Sequence, residues 1–295
     1  MTTTAPHLRN TIRDYIALTK PRIISLLLVT AVGGIFLASQ SVPDPTLVLY
    51  VLVGGYLAAG GANAINHYLD RDIDARMGRT SHRPVVSGRI TPRRALMFGI
   101  TLNILAFILL STLINHLSAY ITLSGTLIYV FIYTMALKRS TSQNIVIGGA
   151  AGAVPPMVGW TAVTGSLDLP AIYLFAIVFS WTPPHFWALA LMIKDDYAAA
   201  GIPMLPVVSG VDKTKKAILL YSILLTALTL MFFTTQAVGW IFFTSAAILG
   251  AGFIIYSWRL WHLPDIVGAK STYLYSLAYL ALLFISLIAD SLIQT

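Results

Sequence analysis

The sequence predicts an all-α fold, a polytopic membrane protein with nine transmembrane helices. Two observations predict it. The first is composition: 57% of the 295 residues are hydrophobic and only 10% are charged, with a mean hydropathy of +0.79. A soluble domain of this length is far more polar. The second is a succession of apolar segments, each about as long as the 20 residues that a helix needs to cross a bilayer.

The elements follow in order along the chain. Residues 1–20 are predicted to be a cytoplasmic segment containing a short helix on the membrane surface. Within it Ile12, Tyr15 and Ile16 recur at helical spacing, opposite Arg13 and Asp14. Apolar spans then follow, each bounded by polar residues. The nine predicted spans are 23–39, 46–65, 95–114, 117–136, 144–164, 170–193, 217–235, 238–258 and 272–291.

The positive charges support this count of nine. With these spans, all 19 lysines and arginines fall before the first span or in the connections on one side of the membrane. The opposite connections carry none. By the positive-inside rule, the N-terminus and the charged loops are cytoplasmic, in a membrane that we expect to be a prokaryotic plasma membrane. The net charge of +8 therefore reflects topology, and nucleic acid is not an expected partner.

Composition also excludes several kinds of chemistry. The chain has no cysteine, which rules out disulfides, thiol catalysis and thiolate metal sites. No Asp, Glu, Lys or Arg lies deep within a predicted span. Ion-coupled transporters commonly carry an ionisable group near the middle of the membrane, so this pattern argues against one. The polar chemistry is concentrated at one interface.

The most polar stretch is residues 66–94, between spans two and three. Asn66, Asp70 and Asp74 recur there every fourth residue. If the preceding helix continues, these three oxygen-bearing side chains line one face and could hold Mg²⁺. Seven arginines share the stretch, and guanidinium groups pair well with phosphate oxygens. The sequence thus predicts a metal and diphosphate site, against the alternative of a solvated loop whose arginines only set topology.

A second long connection, residues 194–216, follows span six on the same side. It carries the adjacent Asp195 and Asp196, which could form a second metal cluster facing the first loop. Taken alone, an ordinary hydrated helix end explains them as well. Asp72 points to another face of the first helix and is predicted to pair with a neighbouring arginine.

At these residues the chain resembles a known family. Asn66-x-x-x-Asp70-x-x-x-Asp74 followed by Arg83-Pro84-x-x-Ser87-Gly88 is similar to the first signature of the UbiA-type intramembrane prenyltransferases. Longer blocks resemble the haem-farnesylating branch of that superfamily and extend the similarity over nearly the whole chain. These blocks are residues 137–160, 181–191 (WTPPHFWALAL) and 194–208 (KDDYAAAGIPMLPVV).

The resemblance implies a single domain over residues 1–295, with the helices around a central cavity and the two acidic loops at its cytoplasmic end. It implies Mg²⁺-assisted transfer of a farnesyl group from farnesyl diphosphate to the 2-vinyl group of haem B, giving haem O. Haem B is then a substrate, and water captures the carbocation formed at the vinyl group. Haem A synthase or the assembly of a terminal oxidase would use the product.

The site residues are assigned accordingly. Asn66, Asp70 and Asp74, with Asp195 or Asp196, are the candidates for metal and catalysis. His185, between two prolines and Phe186-Trp187, is a candidate haem ligand, although a hydrogen bond to a freed backbone carbonyl explains it equally well. His67 and His82 are weaker candidates for haem. The candidates for diphosphate binding are Arg22, Arg71, Lys138, Arg139 and Lys194.

Three alternatives remain open on sequence. A prenyltransferase acting on an aromatic acceptor for quinone synthesis would share the acidic loops but gives no reason for the block around His185. A transporter of amphiphiles does not account for two acidic loops on one face. A purely structural subunit of an oxidase would need no diphosphate site.

Overall fold

The computed structural model describes residues 4–293, with side chains from Thr11 onward. This part of the chain is helical and contains no β-strand. The elements are α1 (Thr4–Thr19), α2 (Pro21–Ser39), α3 (Pro45–Leu69), α4 (Arg71–Arg76), α5 (Pro92–Leu113), α6 (His116–Leu127) with a π-helix (Ile128–Leu137), α7 (Asn144–Thr164), α8 (Leu169–Met192), α9 (Lys194–Ala199), α10 (Leu205–Val208), α11 (Val211–Met231) with a 3₁₀ turn (Phe232–Thr235), α12 (Trp240–His262) and α13 (Ala269–Ile293).

The predicted membrane architecture is confirmed. Within residues 4–293, nine helical segments are long and apolar enough to cross a bilayer, and they correspond to the nine predicted spans. The ends of these helices differ by a few residues from the ends of the predicted spans. α11 begins at Val211, earlier than expected, because its first turn packs inside the protein: Lys215 is 2% exposed and donates to the carbonyl of Leu263, 2.7 Å away, at the end of α12.

The middle of the bundle depends on close approach of α2 and α7. A Cβ built on Gly34 would overlap the carbonyl oxygen of Pro156, and one built on Gly159 would overlap the carbonyl oxygen of Ala31. Two backbones therefore meet with no side chain between them, as small residues permit in membrane helices. Glycine at both positions is required by this contact.

This contact yields a stability prediction. Gly159→Val should destabilise the protein by about 1–3 kcal/mol, because the added methyls force α2 and α7 apart. Gly152→Ala, in the same helix but with open space around the added methyl, should be neutral or stabilising by about 0.5–1 kcal/mol. Thermal unfolding of the two variants in detergent measures the difference, and equal melting temperatures would contradict the packing account.

One end of the bundle, carrying α4, α9 and α10, is termed the charged end. The described lysines and arginines lie at this end, as the distribution of charge along the sequence predicts. The two acidic loops are packed together there: Ile73 and Met77 from the first share one apolar cluster with Tyr197 and Ile202 from the second. Connections four helices apart in the chain thus form one layer.

Candidate functional site

The row of Asn66, Asp70 and Asp74 forms the centre of the charged end. Backbone hydrogen bonds from Asp70 N to Asn66 O (2.9 Å) and from Asp74 N to Asp70 O (2.8 Å) carry the helical path from α3 into α4. The three side chains therefore share one face. All are buried, at 3%, 0% and 2% exposure, respectively. Two carboxylates buried one turn apart need nearby positive charge.

Basic side chains from three other segments supply that charge. Lys138 donates to Asp70 Oδ2 at 2.5 Å. Arg83 reaches both oxygens of Asp74, at 2.8 and 2.6 Å, through one guanidinium nitrogen. Asn66 is held on both sides of its amide, because it donates to Asp70 Oδ2 at 2.6 Å and accepts from Lys20 Nζ at 3.0 Å. The site thus alternates acidic or amide groups with cations.

Lys20 owes its position to the corner between α1 and α2. It adopts a left-handed backbone conformation (φ 56°) directly before Pro21, and this turn directs its ammonium group to Asn66. A lysine with positive φ is uncommon, and such strain is concentrated at functional sites. Burial, together with the positive charges of Arg83 and Lys138, lowers the pKa of Lys20 to about 7.

The π-helix places two further groups. The backbone N–H of Lys138 donates to the carbonyl of Tyr133, five residues back, at 2.8 Å, which is the hydrogen-bond pattern of a π-helix. The Thr134 hydroxyl also donates to a carbonyl five residues back, that of Tyr129, at 2.8 Å. Thr134 also accepts from Asn66 Nδ2 at 3.3 Å. π-Helical segments are rare and often occur at functional sites. Here the altered register brings Thr134 and Lys138 to the acidic row.

Several buried polar atoms at this end have no hydrogen-bond partner among the described residues. They include Asp70 Oδ1, both ring nitrogens of His67 and both amide atoms of Asn144. Buried polar atoms are normally paired, so unpaired ones in a charged site suggest a missing ligand. Asp70 Oδ1, which belongs to the same buried row as Asn66 and Asp74, is an oxygen donor of the kind that Mg²⁺ prefers. The residues present therefore fit a magnesium ion.

The second acidic pair divides between two environments. Asp195 is exposed, whereas Asp196 is half-buried and turns toward the first loop. A Cβ built on Gly78 would lie 4.0 Å from Asp196 Oδ1, an ordinary van der Waals separation, so the Asp196 carboxylate lies next to the first loop. Tyr197, next along α9, is buried, and burial raises the pKa of its hydroxyl to about 12. Of the two carboxylates, Asp196 is the less exposed one and lies next to the first loop.

The structure places the predicted phosphate-binding residues unequally. Lys138 is in the site. Arg139 pairs with exposed Asp72 at 2.7 and 2.8 Å, which lowers the pKa of that carboxyl to about 2, and lies 3.8 Å from Asp70 Oδ1.

The other predicted phosphate-binding residues form no hydrogen bond or ion pair with the acidic row among the described residues. Arg71 donates to the Tyr68 carbonyl and covers the Tyr68 ring. Lys194 is half-buried at the start of α9, and Arg22 is exposed in the first turn of α2.

Two cations of the site, Arg83 and Lys20, are missing from the set chosen on sequence. Arg83 falls within the Arg83-Pro84 signature, so the motif could have indicated it. Lys20 lies 46 residues before Asn66, and nothing in its local sequence predicts that contact. On sequence, Lys20 is only one of the basic residues that precede the first predicted span.

His185 lies in α8, in a separate aromatic environment. The helix continues through Pro183 and Pro184, and the imidazole Nδ1 is 2.7 Å from the hydroxyl of Ser276 in α13. The ring stacks on Trp181 at 4.3 Å between centroids and on Tyr273 at 4.9 Å. The imidazole therefore pairs with a side-chain hydroxyl, and its orientation is set by rings on both sides.

Comparison with known proteins identifies the class. The chain belongs to the UbiA prenyltransferase family, whose model matches residues 27–288. Among its relatives is a protoheme IX farnesyltransferase of a Nostoc species, 53% identical over 95% of this chain and 89% of the relative. Another is the protoheme IX farnesyltransferase of Chloroflexus aurantiacus, 51% identical over 98% of this chain and 49% of the relative. The chain thus spans about half the length of that protein.

Solved structures support the same fold at low sequence identity. A digeranylgeranylglyceryl phosphate synthase superposes with a TM-score of 0.79 and 20% identity, over 96% of this chain and 99% of that one. A UbiA homologue from Archaeoglobus fulgidus bound to GPP and Mg²⁺ superposes with a TM-score of 0.63 and 16% sequence identity, over 94% of this chain and 99% of that one. These likenesses establish that the nine-helix arrangement is the one found in this family.

Proposed function

We propose that this protein transfers the farnesyl group of farnesyl diphosphate to the 2-vinyl group of haem B, forming haem O and releasing diphosphate. The observation that carries the proposal is the buried row of Asn66, Asp70 and Asp74, interleaved with Lys20, Lys138 and Arg83, in a chain about half identical to protoheme IX farnesyltransferases. The Archaeoglobus homologue, which binds a prenyl diphosphate with Mg²⁺, supports the donor.

The residues of the row have distinct tasks in the donor half of the reaction. Asn66, Asp70 and Asp74 would hold Mg²⁺, and the ion would offset the negative charge that develops on the diphosphate as the allylic C–O bond breaks. Lys138 and Arg83 balance buried carboxylates here, and in the substrate complex their N–H groups also donate to phosphate oxygens. Lys20 adds a third cation. Since no protein nucleophile is needed, the absence of cysteine is no obstacle.

The acceptor half follows from what remains after ionisation. The electron pair of the vinyl group forms a bond to the allylic carbon, which leaves a positive charge beside the porphyrin. Water adds there and loses a proton, giving a hydroxyl group on the new side chain. We propose that His185 orients the acceptor through its second ring nitrogen, since Nδ1 is engaged by Ser276.

The proposal also includes the orientation of the protein in the membrane, its organisation as one domain, and its partners. We infer that residues 1–295 act as one catalytic unit, with the N-terminus and both loops, 66–94 and 194–216, on the cytoplasmic side of a prokaryotic plasma membrane. Farnesyl diphosphate and haem B enter from the bilayer and its surface. Haem A synthase or a terminal oxidase under assembly receives the product.

The direct test is product analysis. Purified protein is incubated with haem B, farnesyl diphosphate and Mg²⁺, with and without a chelator, and the extracted haem is analysed by mass spectrometry. A chelator-sensitive hydroxyethylfarnesyl haem is the expected result. Unchanged haem from folded, homogeneous protein would overturn the proposal, and 4-hydroxybenzoate would then be tested as acceptor.

The second acidic pair gives a prediction with an internal control. Asp196→Asn should lower kcat/KM by about tenfold or more, because a carboxylate facing the diphosphate region is lost. Asp195→Asn, at the exposed neighbouring position, should remain within about twofold. Initial rates at saturating Mg²⁺ measure both, and a larger loss in the Asp195 variant would reverse the assignment.

A further inference from the structure

His67 is the buried group of the site that the proposed chemistry leaves without a task. It lies in the last turn of α3, directly after Asn66, and is 2% exposed. Neither Nδ1 nor Nε2 has a hydrogen-bond partner. Every protonation state of an imidazole carries at least one N–H donor, so a potential hydrogen bond is unused. Leaving a donor buried and unpaired costs about 1–3 kcal/mol.

The surroundings of the ring indicate which kind of ligand would use it. One turn earlier on α3, Asn63 Nδ2 donates to the carbonyl of Thr19 at 2.9 Å, so this side of the helix faces the corner between α1 and α2. The charged side chains that act electrostatically on His67 are Lys20 and Arg83, both positive. Two cations acting on an imidazole with unused hydrogen-bonding capacity favour an anion over a metal cation on this side of the helix.

The anion that fits is a phosphate group. Lys20 and Arg83 reach Asn66 and Asp74 in the acidic row, so an anion between them would lie directly beside the metal-binding oxygens. A diphosphate bound to Mg²⁺ has phosphate oxygens left over that the ion does not contact, and these accept hydrogen bonds. A neutral imidazole offers one donor to such an oxygen, and its other nitrogen accepts from a neighbouring ammonium or guanidinium group.

We propose that His67 is a diphosphate-binding residue whose ring N–H donates to a phosphate oxygen of the prenyl donor, in a subsite completed by Lys20 and Arg83. This inference rests on the proposed donor but not on the proposed acceptor. It assigns His67 to the diphosphate and leaves His185 for the porphyrin. Its effect therefore belongs to the affinity for diphosphate, independently of haem.

The test uses inorganic pyrophosphate with Mg²⁺ as the probe, titrated calorimetrically into the full-length protein in detergent. His67→Phe retains a planar ring without a donor and should weaken binding by about tenfold or more, the effect of losing a hydrogen bond to a charged group. His67→Asn retains an amide donor and should stay within about threefold of the unmodified protein. His82→Phe is the matched control, because His82 is an exposed histidine in the same loop, and it should not change the affinity.

A second readout does not depend on the phenylalanine variant folding. In protein labelled with [¹⁵N]histidine, the His67 ring resonance is assigned by its absence in His67→Asn, and it should shift when pyrophosphate and Mg²⁺ are added. An unmoved resonance, or unchanged affinity in a folded His67→Phe variant, would overturn the inference. The inference would also be overturned if a His67 variant kept its affinity for pyrophosphate but lost the change in absorbance that haem binding produces. His67 would then be a haem ligand.

The same experiment separates this inference from the proposed function. If the unmodified protein binds no pyrophosphate, the diphosphate chemistry itself fails, and both proposals fall. If it binds pyrophosphate equally well with and without the His67 imidazole, only the role of His67 is lost. If His67 behaves as expected but no farnesylated haem forms, the donor subsite stands and the acceptor must be replaced.

Discussion

Asp70→Asn should lower kcat/KM for prenyl transfer by about a thousandfold, while the protein folds nearly normally. Asp70 is fully buried, and one of its oxygens, Oδ1, accepts no hydrogen bond from the described residues. The amide has almost the same shape and its oxygen still accepts from Lys138, so packing is retained. It lacks the negative charge that holds a divalent cation beside the diphosphate, and this loss is felt most in the transition state.

Asp72→Asn provides the control for this prediction. Asp72 lies two residues further along but is exposed, and it pairs with Arg139 at the surface. A surface ion pair contributes about 0–1 kcal/mol, so this variant should keep activity within about twofold. Rates measured over a range of Mg²⁺ concentrations should show a weakened metal dependence only in Asp70→Asn. Near-normal activity of that variant would contradict the metal assignment.

The architecture was predictable because the bilayer restricts the options. A segment that crosses the hydrocarbon region must satisfy its backbone internally and be about 20 residues long, so composition alone located nine spans. The row of Asn66, Asp70 and Asp74 was predictable for a related reason. Its spacing equals one helical turn, and the helix of span two continues through it. Both predictions depend only on local sequence.

The remaining parts of the site depend on contacts that local sequence does not encode. Lys20 reaches Asn66 only because its own backbone turns left-handed at the corner before Pro21. Thr134 reaches the row only because its helix changes from α to π, and the stretch is a run of mostly β-branched and aromatic residues with no local feature that predicts the change. The division between Asp195 and Asp196 likewise depends on how α9 rests against the first loop. Side-chain periodicity carries no information about these tertiary contacts.

His185→Phe should lower kcat/KM for haem B by about a hundredfold without changing the affinity for pyrophosphate and Mg²⁺. Phenylalanine preserves the stacking on Trp181 and Tyr273, so the aromatic environment survives. Both ring nitrogens disappear: Nδ1, which pairs with the Ser276 hydroxyl, and Nε2, which in the proposed function faces the acceptor. The loss should therefore appear as a changed absorbance spectrum of bound haem and a raised KM for haem.

Ser276→Ala distinguishes orientation of the ring from mere packing. The Ser276 hydroxyl lies 2.7 Å from Nδ1 and fixes the rotation and tautomer of His185, so its removal should cost about tenfold, less than loss of the imidazole itself. If His185 only fills space between Trp181 and Tyr273, phenylalanine should replace it with little loss of activity, and Ser276→Ala should have no effect on the haem spectrum. A graded loss across the two variants, confined to haem, is the pattern that a ligand held by a hydroxyl group produces.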